Sequence, residues 1–541
     1  MGVCANSLIL RGLLRLIETL RRYWGYSLAG RLIACLRRCY ETSAAAALYH
    51  RCFDVDNYAA ATSWGRLMAR GRALSERLGD ILRGSLFYRA LCALAGGYRR
   101  LTANSRIFGY INRLGLRQWL LVAFAMYLPL EFMIRDTLGA ALLASVWEEL
   151  FIAAAAVYVL WRRALRQTPA IARETPLEAY LLLFIAVGAL LMTVMQPYPA
   201  IAFAGYRIVV EYLLWFFLMI RLIEDDRDLR VLYFSLLLLA AFITLHGVYQ
   251  YIIGVEIPDS WVSRTELGVR TRVFSLTGSP NILGSLLVLT APLAAALIYY
   301  CKNGWWKLFF LGMTCMMFLA LLFTFSRGAW VGMLVTVFIF AMFIDRRLIA
   351  LMAAGAASVL AFVPSITSRI TYLFTEDYAV ASAVGGRALR WETGRLLLDE
   401  VNPWFGFGLG RFGGAVAMDN QIMEETETFS YFYMDNYYLK TMVEMGYIGL
   451  IVYVLLILAL LLWGMRAIRR SGFSLATGGG DALTRNSGNV RVLAVAILSG
   501  LCGVLVHCLF ENIFEEPYMS SYFWGLAAML IYIGFFRKNT A

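Results

Sequence analysis

The side chains in this sequence best suited to chemistry on a charged group are arginines at the borders of apolar runs. Arg272 opens the stretch Arg272-Val-Phe-Ser-Leu-Thr-Gly-Ser-Pro-Asn281, and Arg327 lies in Phe323-Thr-Phe-Ser-Arg-Gly-Ala-Trp330, where one apolar run ends and the next begins. A guanidinium is planar, stays charged at low dielectric and meets a phosphate with two parallel hydrogen bonds. The two arginines therefore suit a diphosphate, and would offset charge developing on a leaving group. Ser279, Pro280 and Asn281 read as a helix start whose free N–H groups can face an anion.

Asp435 stands at the mouth of another apolar run, where a short carboxylate can serve as the N-cap of the following helix. Arg207 and Glu211 stand four residues apart inside an apolar stretch, about 6 Å along a helix axis. They can pair within a bilayer, as a functional mark or as a structural ion pair. The aromatic residues Tyr378, Trp391, Trp404, Phe429, Tyr431, Phe432, Tyr433, Tyr437 and Tyr438 can stack on sugar faces or form an interfacial belt.

The elements that must position these groups are membrane helices. The chain has 541 residues, 60% hydrophobic and 16% charged, with a mean hydropathy of +0.66. Soluble domains carry roughly a quarter charged residues, and here the apolar excess comes in blocks near the ~20 residues that cross hydrocarbon. The expected fold is all-α and polytopic, with about twelve transmembrane helices. Spans are expected near 118–134, 140–161, 177–195, 200–221, 229–253, 281–300, 307–325, 328–344, 348–364, 436–463, 492–511 and 518–536. The domain order is then a basic segment 1–116, helices one to nine in 117–364, a loop at 365–435, and helices ten to twelve with a short tail in 436–541.

The net charge of +13 sits almost wholly in residues 1–116, where eighteen arginines face six acids for a net +12. A basic, amphipathic block before the first span reads as a cytoplasmic segment on lipid headgroups, which makes membrane lipids a partner and nucleic acid not one. With both termini cytoplasmic, Arg162, Arg163, Arg346, Arg347, Arg469, Arg470 and Arg537 all fall inside. Arg264, Arg270, Arg272, Arg327, Arg369, Arg387, Arg390, Arg395, Arg411 and Lys440 fall outside, against the usual bias. For the loop members, pairing with Glu392, Asp399 or Glu400 is the alternative to holding an anion. A loop of about seventy residues is usually functional, and this one is expected to form a partly helical cap.

Several motifs stand in a recognisable order. They are Gly278-Ser-Pro-Asn281 after Arg272, Ser326-Arg327-Gly328, Gly386-Arg387 with Trp391, the Gly406–Gly410 run, and Asp435-Asn436-Tyr-Tyr-Leu439 with Glu444-Met-Gly446. In this order, and over about residues 118–536, the chain resembles the O-antigen ligase and Wzy-type O-antigen polymerase superfamily. The resemblance implies a metal-independent GT-C-type glycosyltransferase of the bacterial cytoplasmic membrane, needing no cofactor. It would move undecaprenyl-diphosphate-linked oligosaccharide to an acceptor glycan or glycolipid on the outer face. A chain-length regulator would be a further partner. Asp435, Arg327 and Arg272 become the expected catalytic residues. Arg207, Glu211, Asn281, Arg387, Trp391, Arg411, Asn436, Tyr438 and Glu444 become the expected substrate-binding residues. Ligases of the family place a histidine where this chain has Asp435, and His50, His246 and His507 lie elsewhere in the sequence. The resemblance then implies that Asp435, in place of that histidine, accepts the acceptor hydroxyl's proton as a carboxylate, in the manner of an inverting transferase, its competing use being the N-cap. The departure leaves polymerisation somewhat favoured over ligation.

Other classes fit less well. The nine cysteines imply no disulfide framework, and Cys35 and Cys39 lack a second ligand pair for zinc. No Asp-x-Asp pair lies on the outer side, so no metal-bound nucleotide-sugar site is expected. The rival of another class is a lipid-linked glycan flippase or other twelve-span transporter. A transporter would favour two related halves, and no internal repeat is visible.

Overall fold

Inside hydrocarbon every backbone N–H and C=O must be satisfied within its own segment, so apolar runs of this length become helices. The computed structural model describes residues 35, 38–39, 42–44, 63–102, 114–137, 139, 141–165, 175–194, 197–258, 271–384, 386–422, 431–471 and 482–537. Among them there are helices and no strands. The amphipathic stretch near Leu13–Arg22, Arg264, Arg270 and Phe429 lie outside the described residues.

Nine helices are long and apolar enough to cross a membrane, or up to eleven if each of two bent pairs is one span. The bent pairs are Leu116–Ala125 with Tyr127–Arg135, turned by 74°, and Arg347–Phe362 with Pro364–Phe374, turned by 94°. Arg327–Phe343 is apolar but has only 17 residues. Every expected span coincides with one of these segments. The long loop is partly helical, with Pro364–Thr371, Glu376–Val384, Arg387–Glu400 and Ala415–Asn420.

The chain divides into two units, Met1–Ser75 with Glu174–Pro176, and Glu76–Arg173 with Leu177–Ala541. In the first unit the described backbone belongs chiefly to the start of the Ser63–Gly84 helix. The second holds the spans. Its core is made by Pro280–Tyr300, Val490–His507 and Pro517–Phe536, each 83% buried, whereas the others range from 22% to 56%. Neighbouring helices meet through small residues: Thr336 Oγ donates to the Ser499 carbonyl at 3.2 Å, where Gly332 lies against Gly503.

Asp225 and Asp226 serve the fold at the end of the bundle remote from the long loop. Asp225 caps the Asp226–Ile253 helix by accepting from the Arg227 and Asp228 N–H groups. Asp226 receives both Arg537 nitrogens at 2.7 Å, and Arg117 pairs with Glu224, Asp225 and Asp228.

Candidate active site

The Tyr437–Arg470 helix begins at Asn436, whose side chain accepts from the Leu439 N–H at 3.0 Å. Asn436 is therefore the N-cap. That leaves the Asp435 carboxylate free for a different use. Its Oδ2 accepts from Arg387 Nε at 2.7 Å and its Oδ1 from Trp391 Nε1 at 3.0 Å. Arg387 and Trp391 lie one turn apart at the start of the Arg387–Glu400 helix, so one face of that loop helix grips one carboxylate. Arg387 also donates to the Phe510 carbonyl at 2.9 Å, which ties the loop to the end of the Ala482–His507 helix.

Arg272 approaches the same place from the other side. It is buried, and donates to the Thr324 carbonyl at 3.0 Å and to Asn281 Oδ1 at 3.2 Å. Asn281 in turn donates to Glu511. Burial pushes the Glu511 carboxyl up, Arg387 pulls it down, and Asp435 pushes it up again. Arg272, Asn281, Glu511, Arg387 and Asp435 thus form one polar cluster drawn from four chain segments.

The turn Thr324–Ser326 is the hub of the arginines. Arg272 donates to Thr324, Arg369 Nε donates to the next carbonyl, Phe325, at 2.7 Å, and Arg327 donates to the Arg369 carbonyl at 3.1 Å. Ser326 caps the Arg327–Phe343 helix. Against this turn lies His507, fully buried, with Nδ1 2.7 Å from Ser285 Oγ. A Cβ on Gly328 would come within 2.7 Å of the His507 ring, so only glycine lets the turn approach the imidazole.

Glu444 is held by the fold itself. Its Oε1 accepts from the Gly410 and Phe412 N–H groups at 3.0 and 3.3 Å, and its Oε2 from Lys440 Nζ at 2.9 Å. The carboxylate anchors the glycine-rich run to the Tyr437–Arg470 helix and is fully engaged in doing so. At Gly446 that helix is kinked, with φ 66° and ψ −172°. The backbones of Gly406 and Gly446 cross there so closely that a Cβ on either would strike the other chain. Tyr438 donates to the Leu505 carbonyl at 2.8 Å and so fixes one helix to another. Arg411 donates to the Phe407 carbonyl and lies over the Phe407 and Tyr198 rings, its basicity lowered by burial.

Arg207 and Glu211 do pair, at 3.5 Å, but Arg207 is closer to Glu149, at 2.8 Å. Of the loop arginines, Arg395 takes the competing role, bridging Glu392 and Asp399 at 2.7 and 2.8 Å.

The sequence reading left out His507, Glu511 and Arg369 from the site. The first two share a signal that was legible: they stand four residues apart where the eleventh apolar run ends in an acid-rich turn. Arg369 carried only its place among the outer-side arginines, since its partner is a backbone carbonyl 44 residues away. Among the described residues no group of three or more His, Cys, Asp or Glu could hold a metal ion.

Glu516, in the turn after Glu511, gives the site region a pH dependence. Burial, with Glu515 and Glu511 nearby, raises its carboxyl from 4.5 to about 7. The folded protein then keeps a proton that the unfolded chain has lost. Stability is therefore expected to fall as pH rises from 4.5 through about 7. Glu516→Gln should flatten that decline, and an unchanged slope of Tm against pH would remove Glu516 as its source.

Fold and site together define a polytopic helical membrane protein with an arginine-rich polar cluster where its long loop meets the ends of its core helices. Residues 312–454 match the model of the O-antigen ligase family, which supports placing this chain in the O-antigen ligase and polymerase superfamily. The match supports a ligase or polymerase type of function in general, with lipid-linked oligosaccharide and a glycan acceptor as the kinds of substrate the family implies. It includes Arg327, Arg369, Arg387, Trp391, Asp435 and Glu444, and stops short of Arg272, Asn281, His507 and Glu511. No curated protein matches the chain significantly.

Proposed function

We propose that the protein is a metal-independent glycosyltransferase that transfers an oligosaccharide from a polyprenyl-diphosphate carrier to an acceptor glycan at the outer face of the cytoplasmic membrane. The observation that carries this reading is the juxtaposition of the arginines at the Thr324–Ser326 turn with the Asp435–Arg387 pair, through Asn281 and Glu511. In this reading Arg272 and Arg327 hold the diphosphate and offset charge on the leaving group. Asp435 orients the acceptor hydroxyl or takes its proton as the new glycosidic bond forms and the sugar–phosphate bond breaks. Trp391, half-exposed beside Asp435, offers a face on which a sugar ring can stack.

The deciding experiment supplies full-length protein in detergent or nanodiscs with purified lipid-linked repeat units and sizes the products. A ladder identifies a polymerase, and a single transfer to a separate acceptor identifies a ligase. Absence of any new glycosidic bond with either acceptor overturns the reading.

Arg272→Lys tests the arginine role. An ammonium keeps the charge but cannot span Thr324 and Asn281 while also meeting a phosphate with two parallel bonds. A hydrogen bond to a charged group contributes about 1.5–3 kcal/mol, so turnover is expected to fall roughly 10- to 100-fold. Wild-type turnover of the lysine variant would remove Arg272 from the site.

A further inference from the structure

The loop that carries Arg272 is held in a conformation that its residues do not favour by themselves. Among the described residues only three that are not glycine have a positive φ, namely Ser275, Phe325 and Gln421. Two of the three lie in the turns on which the arginines of the candidate site depend, Ser275 three residues after Arg272 and Phe325 two before Arg327. At φ 52° the Ser275 side chain crowds its own backbone. Such a residue persists only where its surroundings over-determine it.

What over-determines Ser275 is one face of the Asp226–Ile253 helix. The Phe274 and Ser275 N–H groups both donate to Gln250 Oε1, at 3.0 and 2.7 Å. One turn earlier on that helix, His246 Nδ1 lies 3.1 Å from Ser275 Oγ. Gln250 and Ser275 are buried, and Gly247, between the two grips, lies against Val273. Two side chains four residues apart thus hold one left-handed residue by its amide and by its hydroxyl.

The grip acts on the candidate site through the chain on either side of it. Before Ser275, Thr271 Oγ1 donates to the Val255 carbonyl at 2.7 Å and the Val273 N–H donates to the Phe323 carbonyl at 3.1 Å. The Tyr251 and Phe323 rings stack at 3.6 Å beside them. These contacts set the Arg272 backbone next to Thr324, whose carbonyl the guanidinium reaches. After Ser275 the chain turns back, so that Asn281, nine residues on from Arg272, meets the guanidinium at 3.2 Å. Release of Ser275 into an extended conformation would redirect the chain between Arg272 and Asn281.

We propose that His246 and Gln250 are positioning residues, which aim the Arg272 guanidinium at the carrier's diphosphate by clamping Ser275. The proposal rests on the reading that Arg272 holds the diphosphate. Neither side chain has to touch the ligand, since both act through Arg272.

The test follows the Tm of full-length protein in detergent while undecaprenyl diphosphate, the carrier without its glycan, is titrated in. The wild type is expected to show a saturable rise. His246→Phe keeps a flat ring and loses one hydrogen bond, so half-saturation should need roughly 2- to 10-fold more ligand. Gln250→Met keeps the length of the side chain and loses two, so it should need roughly 5- to 100-fold more. Tyr249→Phe, at an exposed position between them, should change nothing. In an Arg272→Lys background neither substitution should weaken binding further, because the group they aim is gone. A merely structural role would instead multiply the losses. If Gln250→Met does not fold, His246→Phe decides alone. Wild-type half-saturation in either folded variant, undiminished losses in the Arg272→Lys background, or no saturable shift in the wild type overturns the proposal. The titration needs no glycosyl transfer, so absence of a new glycosidic bond overturns the proposed reaction separately, and binding still judges the clamp.

Discussion

Asp435→Asn is expected to lower turnover of a lipid-linked substrate by ~10²–10⁴-fold, the usual cost of losing a positioned base, with little effect on how the Tyr437–Arg470 helix begins. The helix start is secure because Asn436 supplies the cap. What the substitution removes is the negative charge facing Arg387 at 2.7 Å. The amide can still accept from Trp391, so the loop helix keeps one of its two holds. Two roles for the carboxylate separate cleanly. If Asp435 takes the acceptor's proton, Arg387→Gln should retain much of the rate that Asp435→Asn loses. If Asp435 acts by holding Arg387, both single variants should lose activity to a similar extent and the double variant should lose little more. Near-normal turnover of Asp435→Asn, with an unchanged Tm, would leave the residue a structural role alone.

Glu444→Ala is expected to cost most of the protein's stability. The pair it forms with Lys440 is almost fully enclosed, with side-chain exposures of 2% and 8%. Removing one partner of a buried pair typically costs about 3–5 kcal/mol, because the other charge stays buried without compensation. Gly410 and Phe412 would also lose the acceptor for their N–H groups, which holds the glycine-rich run in place. Yield and Tm in detergent should therefore drop sharply. Lys440→Met combined with Glu444→Leu should recover part of the loss, since no lone charge remains. A single Glu444→Ala variant with the wild-type Tm would mean that solvent or Glu515, 3.9 Å from Lys440, takes over the charge.

Where the chain enters and leaves its apolar segments is written in its local composition. Those limits are local: a run of about twenty apolar residues can satisfy its backbone in hydrocarbon only as a helix. The same locality governs the caps. Ser326 and Asn436 sit directly before an apolar run, with side chains short enough to reach back to the helix. The competing N-cap role for Asp435 failed by a single residue. Local patterns were equally sufficient for the Arg207–Glu211 pair and the Arg395 bridges, whose partners lie within one helical turn.

Which of the scattered polar residues meet depends on how the helices pack. Arg387 and Asp435 are 48 residues apart, Ser285 and His507 are 222 apart, and Asn281 and Glu511 are 230 apart. Helices that are apolar all round have no face that the sequence marks as inward, so their rotation and neighbours stay open until side chains pack. Here that choice rests on small residues such as Gly332 against Gly503, and on Gly328 against His507. Helix contacts of this kind depend on shape at close range rather than on a repeating pattern. This is why the histidine that seemed remote in the sequence lies beside the arginine turn in the fold.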